Sequence, residues 1–220
     1  MITKQDFIQH VLHILNEAGV TNGAEMVGAD MTQLPLYIEK LYPAAWRRAV
    51  KIFPRTWFNT ISFADGEKVV NAPDGTGYVV LPTDFLLLSS FKMSGWKTNV
   101  LTAPEETPEI NAKQSNEYLR GTIQRPVCVL RFKNIENTTD HTTRLRKVLC
   151  YYSLPRTADE TTHAIETALY IPNVTEFGDT VDIDDNGLEA LAYITAATVL
   201  TSLEKDTAAK AIESKILEMI

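Results

Sequence analysis

The stretch that most constrains this chain is residues 77–91, GYVVLPTDFLLLSSF. Tyr78, Val79, Val80 and Leu81 form an apolar, β-branched run. Phe85, Leu86, Leu87 and Leu88 resume it after Pro82, Thr83 and Asp84. Proline offers no N–H to a ladder and Asp favours turns, so Pro82 and Asp84 mark a kink or a sheet edge between two strands. The run is long and carries no catalytic group. It points to a building block, not an enzyme.

Around it the periodicity is helical at both ends of the chain. Thr3 and Asp6 form a capping-box pair before Phe7, Val11, Ile14 and Leu15, which predicts a helix over 4–18 stopped near Gly19. Residues 21–30 read as a loop. Leu36, Ile38, Leu41 and Tyr42 open a second helical region, in which Pro43 either kinks the helix or starts a new one. Trp46, Val50 and Phe53 continue the stripe to Pro54; with Trp57 and Phe58 they read as core and not as a ligand cage.

From Trp57 to Pro155 the pattern is that of strands. Asp65–Gly66 and 74–77 are turn signals, 93–96 a hairpin tip, and 102–116 a long exposed loop. Tyr118, Leu119 and Ile123 suggest a short strand, and 127–132 and 148–154 two strong ones joined through the polar 134–143. Leu169, Tyr170 and Ile171, then Val181 and Ile183, read as short strands or extended arms. Asp184, Asp185 and Asn186 supply cap side chains for a closing helix that carries Leu188 to Leu217 and, at ~32 unbroken residues, would be about 48 Å long. Lys205, Asp206 and Thr207 are where it would break.

At 220 residues the chain suits one domain with a large insertion. The N-terminus has no signal-like apolar segment and no run reaches membrane-span length, so the chain reads as soluble and made in a cytosol, with no membrane role. Cys128 and Cys150 lack metal or redox spacing and read as buried small hydrophobes. The net charge of −7 is uneven: residues 1–155 hold 15 acidic and 17 basic residues, and 156–220 hold 13 acidic and 4 basic. Such an acidic third is a poor phosphate clamp.

No phosphate-binding, dinucleotide-binding, zinc-protease or nucleophile-elbow motif occurs, so no catalytic, cofactor or metal residue is assigned. His10 and His13 share a helical face without a completing ligand. The acids at 182–185 have the wrong register for an EF-hand and fit a helix N-terminus better. A hydrolase would have to assemble a site from Asp84, His141 or these acids. The remaining chemistry is charge. Arg144 and Arg146 share one face of a strand beside Lys147, and their expected partner is an acidic protein surface, such as Asp182, Asp184 and Asp185 on a neighbouring copy. A second basic cluster, Arg47, Arg48, Lys51 and Arg55, lies on a helix.

The order of these parts resembles a known family. A Tyr-Pro-x-Ala-x-Arg helix at 42–47 runs into Pro54-Arg55-Thr56-Trp57-Phe58, then Tyr78 to Phe85, Tyr118-Leu119-Arg120, Tyr151-Tyr152-x-Leu-Pro155 and an Ala-rich closing helix. This layout resembles the tail adaptor, or head-to-tail connector ring, proteins of short-tailed bacteriophages. The tail tubular protein A type is nearest in layout, and the ring proteins of crAss-like phages are a further candidate. The resemblance implies an α+β chain, a helical bundle with an inserted antiparallel β-domain: the bundle falls on 1–56 and 184–220 and the insertion on 57–155, while 156–183, which has no counterpart in the family, is expected to be an extended connecting arm. It further implies a virion protein of the neck, assembled as a dodecameric ring between portal and tail, with DNA passing through without base reading. The acidic third would then suit a channel wall that repels DNA. A monomeric binding module or minor tail component, reading its partner through 102–116, is the alternative.

Overall fold

The computed structural model describes residues 1–21, 33–64, 69–136, 142–154 and 163–218. The turn expected at Asp65–Gly66, most of the 21–30 loop and His141 lie outside them. The elements run β1 (Ile2–Thr3), α1 (Lys4–Thr21), α2 (Leu34–Ile52), β2 (Ile61–Ser62), β3 (Val69–Asn71), β4 (Gly77–Val80), β5 (Phe85–Met93) and α3 (Pro108–Ser115). There follow β6 (Cys128–Glu136), β7 (Thr143–Tyr151), β8 (Ile165–Pro172), β9 (Thr180–Val181), α4 (Asp185–Ser202) and α5 (Asp206–Glu218). The fold is α+β, and every pairing between these strands is antiparallel. Contacts divide the chain into a helical unit, Met1–Asn59 with Asn173–Ile220, and a β-unit, Thr60–Pro172.

The helical unit is organised around α4. This helix is apolar on nearly every side, with Ala190, Leu191, Ala192, Ile194, Ala196, Ala197 and Val199 fully buried, as befits a helix surrounded by others. It packs against α1, α2 and α5. Small alanines let those neighbours approach, and the one buried hydroxyl, Thr195, donates to the Leu191 carbonyl at 2.7 Å. An aromatic cluster closes one end. Tyr42 stacks on Phe177 with ring centres 4.0 Å apart, and Phe7 meets both edge-on at 5.5 and 5.6 Å. Ion pairs tie Lys4 to Glu39 at 2.9 Å and Arg48 to Glu213 at 2.6 Å. The latter takes Arg48 out of the basic cluster read from sequence.

Helix ends follow local chemistry. Thr3 Oγ1 accepts from the Asp6 N–H at 3.1 Å and donates to the Asp6 carboxylate at 2.6 Å, a reciprocal cap. Gly19 does not stop α1, which continues to Thr21. Pro43 lies inside an unbroken α2. The closing helix is not one rod: it breaks at 203–205, where Glu204 takes the left-handed conformation with φ of 59°. Asp184 caps α4 by accepting from the N–H groups of Asn186 at 2.7 Å and Gly187 at 3.1 Å. Replacing Asp184 by Ala is expected to cost about 1 kcal/mol, read as a melting temperature lower by a few degrees. An unchanged melting curve would show that water replaces the cap.

The β-unit holds two sheets, one in the order β2-β8-β5 and one in the order β3-β4-β7-β6. The proline break explains how one chain serves both. β4 lies in the four-stranded sheet, and after Pro82 the chain crosses to the other sheet as β5, with the Phe85 N–H returning to the Pro82 carbonyl at 3.2 Å. Asp84 holds this crossing to β8: both its carboxylate oxygens accept from the Tyr170 hydroxyl, at 2.9 and 3.1 Å. Phe85, Leu88, Phe91, Met93 and Tyr170 from one sheet, with Phe63 just past β2, and Val79, Cys128, Leu149 and Tyr151 from the other, share one core. The break is structural.

Three expectations are corrected here. Residues 156–183 are not simply a connecting arm, because Ile165–Pro172 is the middle strand of the three-stranded sheet and buries Ala168, Tyr170 and Ile171. Residues 102–116 are not a continuous loop: 108–115 form α3, capped by Thr107, whose hydroxyl accepts from the Ile110 N–H at 3.2 Å. Thr107, Pro108 and Glu109 are a helix start, with Thr as N-cap and Pro in the first turn. Tyr118, Leu119 and Ile123 form turns, not a strand, and Tyr118 is 94% exposed.

Candidate interaction surface

The basic residues singled out in the sequence lie on the β6–β7 hairpin. Its register pairs Cys128 with Tyr151 and runs without a bulge to Glu136 opposite Thr143. Because side chains alternate, the hairpin has two distinct faces. Cys128, Leu130, Phe132 and Asn134, with Leu145, Lys147, Leu149 and Tyr151, form one; at its inner end it packs into the core. Val129, Arg131, Lys133 and Ile135, with Arg144, Arg146, Val148 and Cys150, form the other.

That second face carries four cations. Arg131 and Lys133 come from β6, and Arg144 and Arg146 from β7, with Lys133 directly opposite Arg146 and Ile135 opposite Arg144. Arg131 pairs with Glu106 and donates to the Asn111 carbonyl oxygen of its side chain at 3.0 Å. Lys133 lies over the Tyr78 ring, 4.3 Å from its centre, a favourable cation–π distance. Arg146 donates to the Leu81 carbonyl at 3.1 Å. Beneath them Val80, Val148 and Cys150 form a small apolar patch with Tyr78, Ile135 and Tyr152. The sequence reading missed Arg131 and Lys133, although their i, i+2 spacing within an alternating strand was the available signal.

Lys147 is separated from Arg144 and Arg146. It points to the opposite face, with its ammonium 5.7 Å from the centre of the Phe85 ring. Strand alternation puts it there, so the three residues do not make one patch. The same alternation places Cys128 and Cys150 on opposite faces, and burial pushes both thiols up.

The outer half of the hairpin extends past the core. On the core-side face Phe132 is 61% exposed and Leu145 64% exposed, and they are diagonal neighbours across the two strands. The outer edge of β6 is used only at its inner end. The Leu130 N–H donates to the Pro104 carbonyl at 2.8 Å and its carbonyl accepts from the Glu106 N–H at 3.0 Å. Among the described residues no strand continues that pairing past Leu130. A cleft of about 290 Å³ lies there, lined by Glu105, Glu106, Leu130, Arg131, Phe132 and Lys147.

The acidic candidates belong to the helical unit, and the structure gives them different tasks. Asp184 is spent on the α4 cap. Asp182 accepts from the Asn59 side-chain amide at 2.6 Å. Asp185 is exposed in the first turn of α4, and Glu189, one turn further on, is exposed on the same side. Asp84, the acid considered for hydrolysis, is occupied by Tyr170 in the β-unit. His13 meets Glu17 at 3.1 Å on the exposed side of α1. Among the described residues no group of three His, Cys, Asp or Glu side chains is placed to hold a metal ion, and no helix is long and apolar enough to cross a membrane. No known family model matches the chain, and no curated protein matches its sequence.

Proposed function

We propose that this chain is a structural virion protein that assembles as a closed ring joining the portal to the tail and surrounding the DNA passage. The observation that carries the reading is the splice. A helical unit built from both chain ends, closed by α4 and α5, carries a β-unit between Asn59 and Asn173, the order of parts implied by the resemblance to connector-ring proteins. The acids available for hydrolysis support the same reading, since Asp84, Asp182 and Asp184 are engaged in holding a turn, an asparagine and a helix end. The reading assigns the chain no catalytic role. A ring needs two unlike patches on each subunit. The hairpin cations and the acidic helical unit supply opposite signs.

The alternative, a monomeric module reading a partner through 102–116, has less support. That segment is tied down: Gln114 is buried and accepts from the Gly121 N–H at 3.0 Å, and Asn111 accepts from Arg131.

Negative-stain imaging and native mass determination of the purified chain, alone and with candidate portal rings, test the reading. Twelve-fold rings, free or only on portal, are the expected result. A chain that stays monomeric beside every portal would overturn it.

A further inference from the structure

We propose that the outer half of the β6–β7 hairpin is the arm by which one copy grips the next, with Arg144 and Arg146 seated on Asp185 and Glu189 of a second copy. The inference rests on the ring reading and names its contact. Three observations converge on the arm. It carries exposed Phe132 and Leu145 on one face and the four-cation row on the other, and the outer edge of β6 is unmatched beyond Leu130 among the described residues.

The charge identifies the occupant. The helical unit of this same chain has an excess of acidic residues, and α4 begins with two exposed carboxylates one turn apart. Their spacing suits the arm. Residues i and i+2 on a strand are about 6.7 Å apart, and residues i and i+4 on a helix face have Cβ atoms about 5–6 Å apart. Arg144 and Arg146 can therefore each meet one carboxylate of the Asp185–Glu189 pair without distorting either element. Exposed ion pairs alone contribute little. Repeated at every interface of a closed ring, the paired arginines and carboxylates set partner and register, while Phe132 and Leu145, on the opposite face of the hairpin, stay outside this contact.

Such a contact joins two different patches of one chain, so it propagates from copy to copy, and a rotation that closes makes it the ring of the proposed function. This gives a test that a folding defect cannot imitate. In one variant the arm is reversed, Arg144→Glu with Arg146→Glu. In the other the helix is reversed, Asp185→Lys with Glu189→Lys. Each alone presents like charges at every interface, and each is expected to lose ring assembly in native mass spectra. Mixed in equal amounts, the two variants meet only as complementary neighbours, and rings of strictly alternating composition are expected to return.

Arg146 also holds the Leu81 carbonyl. The mixing is therefore repeated with Arg144→Glu and Asp185→Lys alone, which leave that bond in place. If either reversed double variant forms rings as the natural chain does, the arm contact is overturned while the ring reading stands. If all variants are folded and the mixtures stay monomeric, the pairing is overturned as well. If the natural chain forms no ring, alone or on portal, the ring reading itself falls, and the arm with it.

Discussion

Replacing Phe91 by Ala is expected to destabilise the β-unit by about 3–5 kcal/mol, the range for removing a fully buried phenyl ring. Phe91 has no exposure, and three rings surround it. Phe63 stacks at 6.2 Å, Trp96 meets it edge-on at 5.8 Å, and Tyr151 lies at 6.2 Å from across the core. Its backbone is fixed too, since it exchanges both hydrogen bonds with Val100 at 2.8 Å. The neighbours cannot collapse cheaply into the space, so the cavity term adds to the lost transfer energy. Urea denaturation at constant m is the measurement, with Phe91→Leu as the milder control, expected to lose much less. A loss below about 1 kcal/mol in the alanine variant would mean that the two sheets repack around the missing ring.

Gly75→Ala is expected to be the most damaging single-methyl change in the β3–β4 turn, at about 3 kcal/mol. Gly75 has φ of 81°, and a Cβ built there would lie 2.2 Å from the Leu154 carbonyl oxygen. That oxygen is backbone and cannot swing away. The same contact is a hydrogen-bonded junction, because the Leu154 N–H donates to the Gly75 carbonyl at 3.0 Å. Gly95 provides the comparison. Its φ is similar, 86°, but a Cβ there meets nothing within 4 Å, so Gly95→Ala is expected to cost only about 1 kcal/mol of backbone strain. Equal melting temperatures for the two variants would show that the backbone at Leu154 moves aside at little cost.

The contrast between these glycines shows what was legible in the sequence and what was not. Both read as turn residues from composition, but only the fold brings Leu154 against one of them. Local signals carried well. The Thr3–Asp6 cap, the proline break at 82 and the N-terminal acids of α4 were visible because each depends on residues within a few positions. The division of the chain into helical ends and a strand-rich middle followed from periodicity alone.

What failed depended on distant partners. β8 was hard to place because its seven-pair register with β5 spans more than a third of the chain, and bulges interrupt the alternation. Lys147 was grouped with Arg144 and Arg146 by proximity in sequence, although an odd step along a strand sends it to the other face. Arg131 and Lys133 escaped notice because the cation row exists only when two strands lie side by side. The helix at 108–115 is the exception: its Thr-Pro-Glu start is local, but the polar stretch around it carries no apolar stripe to extend the signal.

The pairing of β2 with β8 has a consequence for the gene as well as the fold. Ile61 lies opposite Tyr170 and Ser62 opposite Leu169, so the β-unit's first and last strands are neighbours, about 4.8 Å apart. The unit fastens its own entrance to its own exit. The helical unit does likewise, joining Phe58 to Ile183 across the gap in its sequence. The entropy of closing so long an excursion is thus met inside the excursion, and it grows only slowly with length. A descendant could lengthen, shorten or exchange the chain between residues 62 and 169 while the strand pair at its entrance and exit keeps the two ends side by side.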